Sequence, residues 1–354
     1  MTTETTIQFQ NRVPLWANTL PVRHIKCIDP PADNPAPDKE IWGRVYLNDT
    51  YTNSLVRMGE AGADIYFAHC QSYYARAPYV TYWFAPNEPD VSGVESVVAL
   101  ARFSVRFDAL MRSIGKTAVL LNTSRGCPDF PMMKYLVEVF NVAKWVSFHE
   151  YGWPTMMTET PYHCGRFNLL MDEVRKYYTG PMPQVCIGEA NVDDGGANGS
   201  GKHWSWKTAF NHNFSELVNN ARWYHGVCAT SKYAVGPIFY YIAEPNGDWQ
   251  DFEINETNAR QLVSINDEFH KVDIPAEMLR EAELRQLIHL NPNAAIQKRI
   301  FYDGYVPTSE EFSMELAGDT YVGQRAERLS DGKVRVYYCK APDWGIVYYK
   351  ERTS

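Results

Sequence analysis

The sequence predicts an α/β protein, a (β/α)8 TIM barrel with a small C-terminal α+β appendage. Short β-type runs alternate with helix-type stretches over most of the chain, and eight such runs, each followed by a crossover, close most simply as a barrel. The 354 residues are 45% hydrophobic, which is enough for a large core and excludes a wholly disordered chain. We therefore expect a barrel domain at 1–272 and a separate module at 273–354.

The predicted strands are mostly continuous apolar runs, as is typical of a parallel sheet buried on both faces. They are His24–Asp29, Ile41–Tyr46, Asp64–His69, Tyr79–Ala85, Thr117–Asn122, Trp145–His149, Gln184–Glu189 and Gly236–Ala243. One link is irregular, because only residues 70–78 separate the third and fourth runs, fewer than the dozen or so that a helical crossover usually takes. A doubly wound open sheet is the alternative, although no glycine-rich phosphate loop follows the first strand.

Apolar residues at helical spacing predict the crossover helices. These are Asn53–Glu60, Val94–Ile114, Met132–Val142, Leu169–Tyr178, Phe214–Ala229 and Ala259–Val272. The module then begins with a helix at Pro275–Leu290. Three strands follow, Tyr321–Leu329, Lys333–Lys340 and Ile346–Glu351, with a hairpin turn at Ser330-Asp331-Gly332. This module is either a binding module or a lid on the barrel.

Composition excludes several classes of function. The formal charge of −8 carries no basic stripe, which argues against nucleic-acid binding, and no apolar run approaches the roughly 20 residues of a membrane helix. The polar start lacks the features of a secretion signal, so we expect a protein that is cytoplasmic as synthesised and that leaves the cell, if it does, by lysis. The oligomeric state is left open. Seven scattered cysteines without a C-x-x-C pair predict free, buried thiols in a reducing compartment.

No metal and no other cofactor is expected. The histidines lack metal-binding spacing, and Asp193-Asp194-Gly195 resembles only a fragment of a calcium loop.

In a barrel of this kind the active site lies at the C-terminal ends of the strands. Two carboxylates stand out there, because Glu88 follows the apolar run Tyr-Trp-Phe-Ala and Glu189 ends Val-Cys-Ile-Gly. A charge at the mouth of an apolar core predicts a raised pKa for such a carboxyl group. Cleavage of a glycosidic bond needs two carboxyl groups that flank it, one to protonate the leaving oxygen and one to attack or to activate water.

Asn87-Glu88-Pro89 after the fourth predicted strand and Gly188-Glu189 at the end of the seventh resemble the motifs of the clan A retaining (β/α)8 glycoside hydrolases. The resemblance covers about residues 24–270, and no individual family is assigned. It implies that Glu88 is the acid/base, that Glu189 is the nucleophile and that Asn87 binds the sugar 2-hydroxyl.

The same resemblance implies roles for several neighbours. His149-Glu150-Tyr151 matches the clan's frequent His-x-Tyr, whose tyrosine holds the nucleophile, and Arg44 at the end of the second predicted strand matches an arginine beside it. The clan usually places an aromatic residue at the end of strand eight, where Tyr241 or Trp249 would have to substitute. Asp29 and His69 are further polar residues at predicted strand ends.

The glycine-rich stretch 190–206 follows the predicted nucleophile and contains Trp204 and Trp206, while Trp153 follows the sixth strand. Flat indole faces suit sugar rings, so all three are candidate substrate platforms, although packing of the loop against the barrel is the competing interpretation. The resemblance implies a retaining hydrolase of a β-linked polysaccharide or oligosaccharide, and the aromatic residues beside the predicted nucleophile favour an endo-acting one. A peptidoglycan-degrading, phage-type lysin of the same mechanism and a non-catalytic carbohydrate-binding barrel are the alternatives.

Overall fold

The computed structural model describes two compact units, one within residues 1–274 and one within 275–354. Described in the first unit are residues 3–10, 12–196, 202–242 and 249–271. Described in the second are residues 306–307, 312–316, 319–328, 333–340 and 348–352.

The first unit is a closed barrel of eight parallel strands, which pair in sequence order from β1 to β8, with β8 returning to β1. The strands are β1 (Glu4–Gln10), β2 (His24–Ile28), β3 (Glu40–Arg44), β4 (Tyr82–Phe84), β5 (Thr117–Thr123), β6 (Trp145–Gly152), β7 (Gln184–Val192) and β8 (Val235–Ile242). The predicted (β/α)8 fold is confirmed.

Helices surround the barrel and pack their buried faces on it. They are α1 (Asp49–Arg57), α2 (Glu60–Arg76), α3 (Val94–Ser113), α4 (Val137–Val142), α5 (Arg166–Arg175), α6 (Trp206–Ala209), α7 (Phe214–Ala229), α8 (Glu256–Val263) and α9 (Ile265–Lys271). The predicted helix at 132–142 is in fact a 3-10 turn, Phe130–Leu136, followed by α4. Among the residues described, no helix is both long and apolar enough to cross a bilayer.

Two strand predictions were wrong, and the errors offset each other. The run Asp64–His69 lies inside α2, where Tyr66, Cys70 and Tyr74 are buried at helical spacing, so the irregular short link disappears. The strand that replaces it in the count is β1, which the sequence predicts as a polar start and not as a strand. Because one strand was added and one was missed ahead of β4, Glu88 and Glu189 still belong to the fourth and seventh strands.

The barrel interior has an apolar floor beneath a polar layer. The floor is a cluster of fully buried side chains drawn from six strands: Trp42, Phe84, Val119, Trp145, Cys186 and Phe239. Above it lie buried polar side chains that point into the barrel, among them Gln8, Lys26, Asn122, His149 and Glu189. Close packing below and hydrogen bonding above fix the side chains at the mouth of the barrel.

Irregular backbone positions flank β6. The register of β5 against β6 shifts between Leu121 and Thr123, and that of β6 against β7 shifts at Gly188, so that His149 pairs with Glu189. A Cβ at Gly188 would lie 2.2 Å from Ser147 Oγ, so no larger residue fits there without a shift of the strand. Such bulges re-aim side chains, here those of Asn122 and Glu189.

In the second unit, β10 (Phe312–Leu316), β11 (Asp319–Arg328), β12 (Lys333–Lys340) and β13 (Tyr348–Arg352) form an antiparallel sheet, and β9 (Val306–Pro307) pairs with β11. The strands β11, β12 and β13 correspond to the three strands predicted for this module. The predicted helix Pro275–Leu290 and the turn at 330–332 lie outside the described residues. Of the cysteines, Cys27, Cys70, Cys164, Cys186 and Cys228 are free and buried, as predicted.

Candidate active site

The two predicted catalytic carboxylates meet on one imidazole nitrogen at the mouth of the barrel. His149 Nδ1 lies 2.9 Å from Glu88 Oε1 and 3.6 Å from Glu189 Oε2. The nearest oxygens of the two carboxylates are therefore no farther apart than the sum of these distances, and reach it only if the three atoms are collinear. The structure thus brings together residues that lie about one hundred positions apart in the sequence.

Hydrogen-bond donors surround the carboxylate of Glu189. Its Oε1 accepts from Arg44 Nη1 at 3.0 Å, from Gln8 Nε2 at 3.1 Å and from Lys26 Nζ at 3.4 Å. Its Oε2 accepts from the Tyr151 hydroxyl at 2.7 Å. Five strands, β1, β2, β3, β6 and β7, contribute to this arrangement, so the orientation of the carboxylate depends on the closed barrel.

The expectation of a raised pKa is wrong for Glu189. Burial alone would raise the pKa of this carboxyl group, but the charges of His149, Lys26 and Arg44 and the hydrogen bond from Tyr151 outweigh burial and hold it well below the ordinary value. Glu189 is therefore ionised throughout the physiological range, the state in which a carboxylate can attack.

His149 is held in one tautomer by its other nitrogen. Nε2 lies 2.9 Å from Asn122 Oδ1, which also accepts a hydrogen bond from Ser147 Oγ at 2.9 Å. An amide oxygen only accepts, so Nε2 carries a proton. The hydrogen bond between Nδ1 and Glu88 then requires one further proton, which is shared by the imidazole and the carboxylate.

Glu88 is the more open of the two carboxylates, since its side chain is 36% exposed and that of Glu189 is 11% exposed. It follows β4 in a loop in which its backbone N–H donates to Asn122 O at 3.1 Å. Its φ of 40° lies in the left-handed region, a strain of about 1–3 kcal/mol that is characteristic of residues held for function.

Arg44 connects the two halves of the site. It ends β3, and not the second strand as predicted, because β1 was missing from the count. Its Nη1 donates both to Glu189 and to Asn87 Oδ1, and Asn87 in turn hydrogen-bonds Asp49, the first residue of α1. Burial raises the pKa of Asp49 against the attraction of Arg44.

A cavity of about 440 Å³ opens above the carboxylates. Glu88, Glu189, Asn87, Arg44 and Tyr151 line it, and so do the candidate aromatic residues Tyr241 and Trp249. Trp249 stacks on His203 with ring centroids 3.8 Å apart, and the Tyr241 hydroxyl donates to Gln10 Oε1 at 2.6 Å. Both aromatic residues proposed to substitute at strand eight therefore face the cavity.

The other candidates lie elsewhere. His69 is exposed on α2 beside Tyr51, because its predicted strand is a helix. Trp206 is 4% exposed and packs edge-on against Phe214, so it is a core residue and not a platform. Trp153 and Trp204 contact each other with centroids 6.3 Å apart, but neither is among the described residues that line the cavity.

Asp29 directly follows β2 and accepts a hydrogen bond from the backbone N–H of Tyr46, so it organises the loop after β3. It too is absent from the described cavity lining.

Two residues that contact Glu189 were not predicted from the sequence. They are Lys26 and Gln8. Gln8 was lost with β1. Lys26 does not lie at a strand end, and the sequence signal for it is a cation in the middle of the apolar run His-Ile-Lys-Cys-Ile. Burial lowers the pKa of Lys26 to about 7, against the raising effect of Glu189.

Asp193, Asp194 and His203 present one possible ligand atom each within 4.8 Å of one another. Hydrogen bonds of the loop itself use these oxygens: Asp193 Oδ1 accepts from Gly195 N and contacts His203 Nδ1, and Asp194 Oδ1 accepts from Gly196 N and Trp204 N. The group therefore shapes the loop after β7, and the sequence-based expectation of no metal remains a prediction.

No family model matches the chain. No curated protein matches it either.

Solved structures with a similar fold include glycoside hydrolases. A family 5 xyloglucanase from Paenibacillus pabuli is 10% identical with a TM-score of 0.45, over 75% of this chain and 98% of that chain. A GH39 enzyme from Xanthomonas axonopodis pv. citri is 8% identical with a TM-score of 0.48, over 92% and 72%.

A sugar phosphate isomerase/epimerase from Parabacteroides distasonis is also similar, with 9% identity and a TM-score of 0.36 over 75% of this chain and 95% of that chain. Likeness at this level does not distinguish one chemistry from another, so function has to be argued from the residues of the cavity.

Proposed function

We propose that this protein is a retaining glycoside hydrolase that cleaves a β-linked polysaccharide by double displacement, with Glu189 as nucleophile and Glu88 as acid/base. The observation that carries the proposal is the contact of both carboxylates with His149 Nδ1, at 2.9 and 3.6 Å, beneath one open cavity. Two carboxyl groups across one sugar carbon are the minimal apparatus for this reaction.

The separation of the carboxylates favours retention over inversion. Retaining enzymes place the two groups about 5–5.5 Å apart, whereas inverting enzymes need roughly 6.5–9.5 Å to admit a water molecule. In this site the two contacts with His149 limit the separation of the nearest oxygens to the bottom of the inverting range at most. A separation in the retaining range therefore fits this bound, and the wider separations typical of inverting enzymes exceed it.

The protonation states suit the assigned roles. Glu189 is kept ionised by the cations and the tyrosine around it, so it can attack the anomeric carbon. Glu88 shares a proton with His149 and is open to solvent, so it can protonate the leaving oxygen and be reprotonated afterwards.

In the first step the anomeric carbon forms a bond to Glu189, the glycosidic bond breaks, and its oxygen takes the proton of Glu88. In the second step Glu88 removes a proton from water, the water oxygen bonds to the anomeric carbon, and the bond to Glu189 breaks. Arg44 links Glu189 with Asn87, whose amide faces the cavity and is suited to bind the sugar hydroxyl next to the reacting carbon.

Aromatic side chains in the cavity support a carbohydrate substrate. Trp249 is 36% exposed at the rim and is backed by His203, Tyr241 and Phe252, so its indole is held as a platform. Release of reducing ends should be measured on β-glucan, mannan, galactan, xylan and peptidoglycan. Binding without release on every member of the panel would favour the carbohydrate-binding alternative.

The roles of the carboxylates are tested by substitution. Glu189→Ala should lower turnover of the preferred substrate by at least about 10⁴-fold, and azide should restore cleavage of an activated aryl glycoside as a glycosyl azide of inverted configuration. Glu88→Gln should lose about 10²–10⁴-fold on substrates with poor leaving groups and much less on activated ones.

Asp49→Asn is the matched control, because Asp49 is a third carboxylate on the same cavity. It should show neither azide rescue nor dependence on the leaving group. Rescue of Asp49→Asn in place of Glu189→Ala, or equal losses by Glu88→Gln on both substrate types, would overturn the assignment.

A further inference from the structure

Lys26 is a fully buried lysine at the centre of the barrel, beneath the carboxylate of Glu189. We propose that Lys26 is a positioning residue: it fixes Glu189 through Oε1 and stabilises the charge that returns to this carboxylate when the glycosyl-enzyme is hydrolysed. This inference rests on the function proposed above and adds to it a residue that assists one chemical step more than the other.

Three contacts fix the ammonium group of Lys26. Nζ donates to Gly188 O at 2.8 Å and to Glu189 Oε1 at 3.4 Å, and it lies 4.3 Å from the ring centroid of Phe84. An isolated buried cation is costly unless it is paired and hydrogen-bonded, so these contacts bind Lys26 and the bulge at Gly188 to each other. The residue that precedes the nucleophile is thus held by the same group that holds the nucleophile.

The two oxygens of Glu189 are not equivalent. Oε1 accepts from Lys26, Arg44 and Gln8, whereas Oε2 accepts from Tyr151 and lies on the side of His149 and Glu88. Oε2 is therefore the oxygen that bonds to the anomeric carbon, and Oε1 becomes the carbonyl oxygen of the ester. In hydrolysis of the ester, water oxygen bonds to the anomeric carbon, the bond from that carbon to Oε2 breaks with its electron pair, and a proton passes from water to Glu88.

A cation at Oε1 acts in opposite senses on the two steps. It makes the carboxylate a better leaving group, because the negative charge that returns to it is stabilised, and it makes the free carboxylate less nucleophilic for the same reason. Removal of the cation should therefore slow hydrolysis of the intermediate more than its formation.

A buried lysine in a barrel also invites comparison with enzymes that form imines, but the geometry opposes this use. The Lys26 side chain has no solvent exposure, and it is not among the described residues that line the cavity. Its nitrogen is directed to Gly188 and Glu189, so a carbonyl substrate in the cavity has no path to it.

Lys26→Met tests the inference, because methionine keeps the length of the side chain and removes the charge. The candidate probes are the 2,4-dinitrophenyl β-glycosides of glucose, galactose, mannose, xylose and their β-1,4-linked disaccharides. The one that the unmodified protein cleaves fastest is used for the comparison. Dinitrophenolate leaves readily, so kcat reports hydrolysis of the intermediate and kcat/KM reports its formation. We expect kcat to fall about 10- to 100-fold, kcat/KM to change by less than about threefold, and KM to fall accordingly.

Intact-protein mass spectrometry during turnover should then show the variant carrying one glycosyl group. Lys116→Met is the matched control: Lys116 Nζ, like that of Lys26, donates to the backbone, here to the carbonyl oxygens of Pro78 and Val80, but at the opposite end of the barrel. It should leave kcat and kcat/KM unchanged and show no adduct.

The outcomes separate the two proposals. If the unmodified protein cleaves none of the probes and none of the polysaccharides in the panel, the proposed function itself fails. If it cleaves a probe and Lys26→Met lowers kcat and kcat/KM equally, or accumulates no adduct, the function stands and the inference is overturned. A purely structural loss lowers the fraction of active protein, which moves both parameters together.

Discussion

At the scale of single residues, the site is organised around one shared proton. Asn122 holds the proton of His149 on Nε2, and Nδ1 then shares a second proton with Glu88 at 2.9 Å. A general acid must hold its proton until it transfers it to the leaving oxygen. The amide oxygen of Asn122 accepts the hydrogen bond from His149 Nε2 and so leaves Nδ1 to share the second proton, without adding a charge. The sequence motif named Glu88 but could not reveal this relay, because the three residues come from different strands.

Asn122→Asp tests the relay. Aspartate keeps the shape and tolerates the observed φ of 50°, and its negative charge holds the proton on His149 Nε2 more firmly, so that the shared proton is released less readily to a leaving oxygen. We expect kcat/KM to fall about tenfold for substrates with poor leaving groups and to change little for activated aryl glycosides. Ser147→Ala removes the other donor to Asn122 and should change neither value. Equal losses on both substrate types in Asn122→Asp would show that Asn122 does not act through the acid.

At the scale of elements, the bulges in β5 and β7 reorient two side chains of the site, which regular strands would not do. They turn Asn122 and Glu189 toward His149 on the intervening strand, and Gly188 makes the close approach possible. A Cβ at Gly188 would lie 2.2 Å from Ser147 Oγ and 2.9 Å from Asn122 Oδ1.

Gly188→Ala should therefore destabilise the barrel by about 1–3 kcal/mol, measured by urea unfolding, and reduce activity as the contacts of Glu189 shift. Ser147→Ala removes the hydroxyl oxygen with which the new Cβ clashes. The double variant of Gly188→Ala and Ser147→Ala should therefore be more stable than Gly188→Ala alone. Gly93→Ala, where a Cβ meets nothing within 4 Å, should cost less. Additive effects of the two substitutions would contradict the steric account.

The sequence predicted the barrel and the paired glutamates because apolar runs and a short motif are local signals. It failed where the signal was non-local. Glu4–Gln10 is mostly polar in sequence and is recognised as a strand only from its pairing with β2 and β8. Asp64–His69 is apolar enough for a strand, although its buried residues follow a helical period. Gln8 was missed together with its strand. Lys26 carried a local signal, a cation within an apolar strand, but only the folded barrel shows that it contacts Glu189.

At the scale of the whole molecule, Glu150 ties β6 to the outer helices. It points away from the barrel interior, unlike His149 and Tyr151, and accepts hydrogen bonds from Gly165 N, from Phe167 N at 2.7 Å and from the Tyr224 hydroxyl at 2.5 Å. Burial raises the pKa of this carboxyl group from 4.5 to about 7, although those hydrogen bonds and Arg166 act to lower it.

Stability should depend on pH through this group. Between the ordinary pKa of 4.5 and the raised value of about 7, the folded protein binds more protons than the unfolded chain, so the free energy of unfolding should fall as pH rises through this window. Glu150→Gln should flatten that dependence relative to the unmodified protein, as measured by urea unfolding at pH 5, 6, 7 and 8. The exposed Glu95→Gln should not, and parallel curves for Glu150→Gln would contradict the assignment.

Closure of the ring has a further consequence. The seam between β1 and β8 is formed by residues more than two hundred positions apart, and β1 also supplies Gln8 to Glu189 and Gln10 to Tyr241. The pocket therefore cannot be completed during translation before residues near 240 have been synthesised, because Tyr241 lines it and β8 closes the barrel against the earliest strand. Proteins cut or extended near Glu4 should accordingly be judged by their catalysis as well as by whether they remain folded.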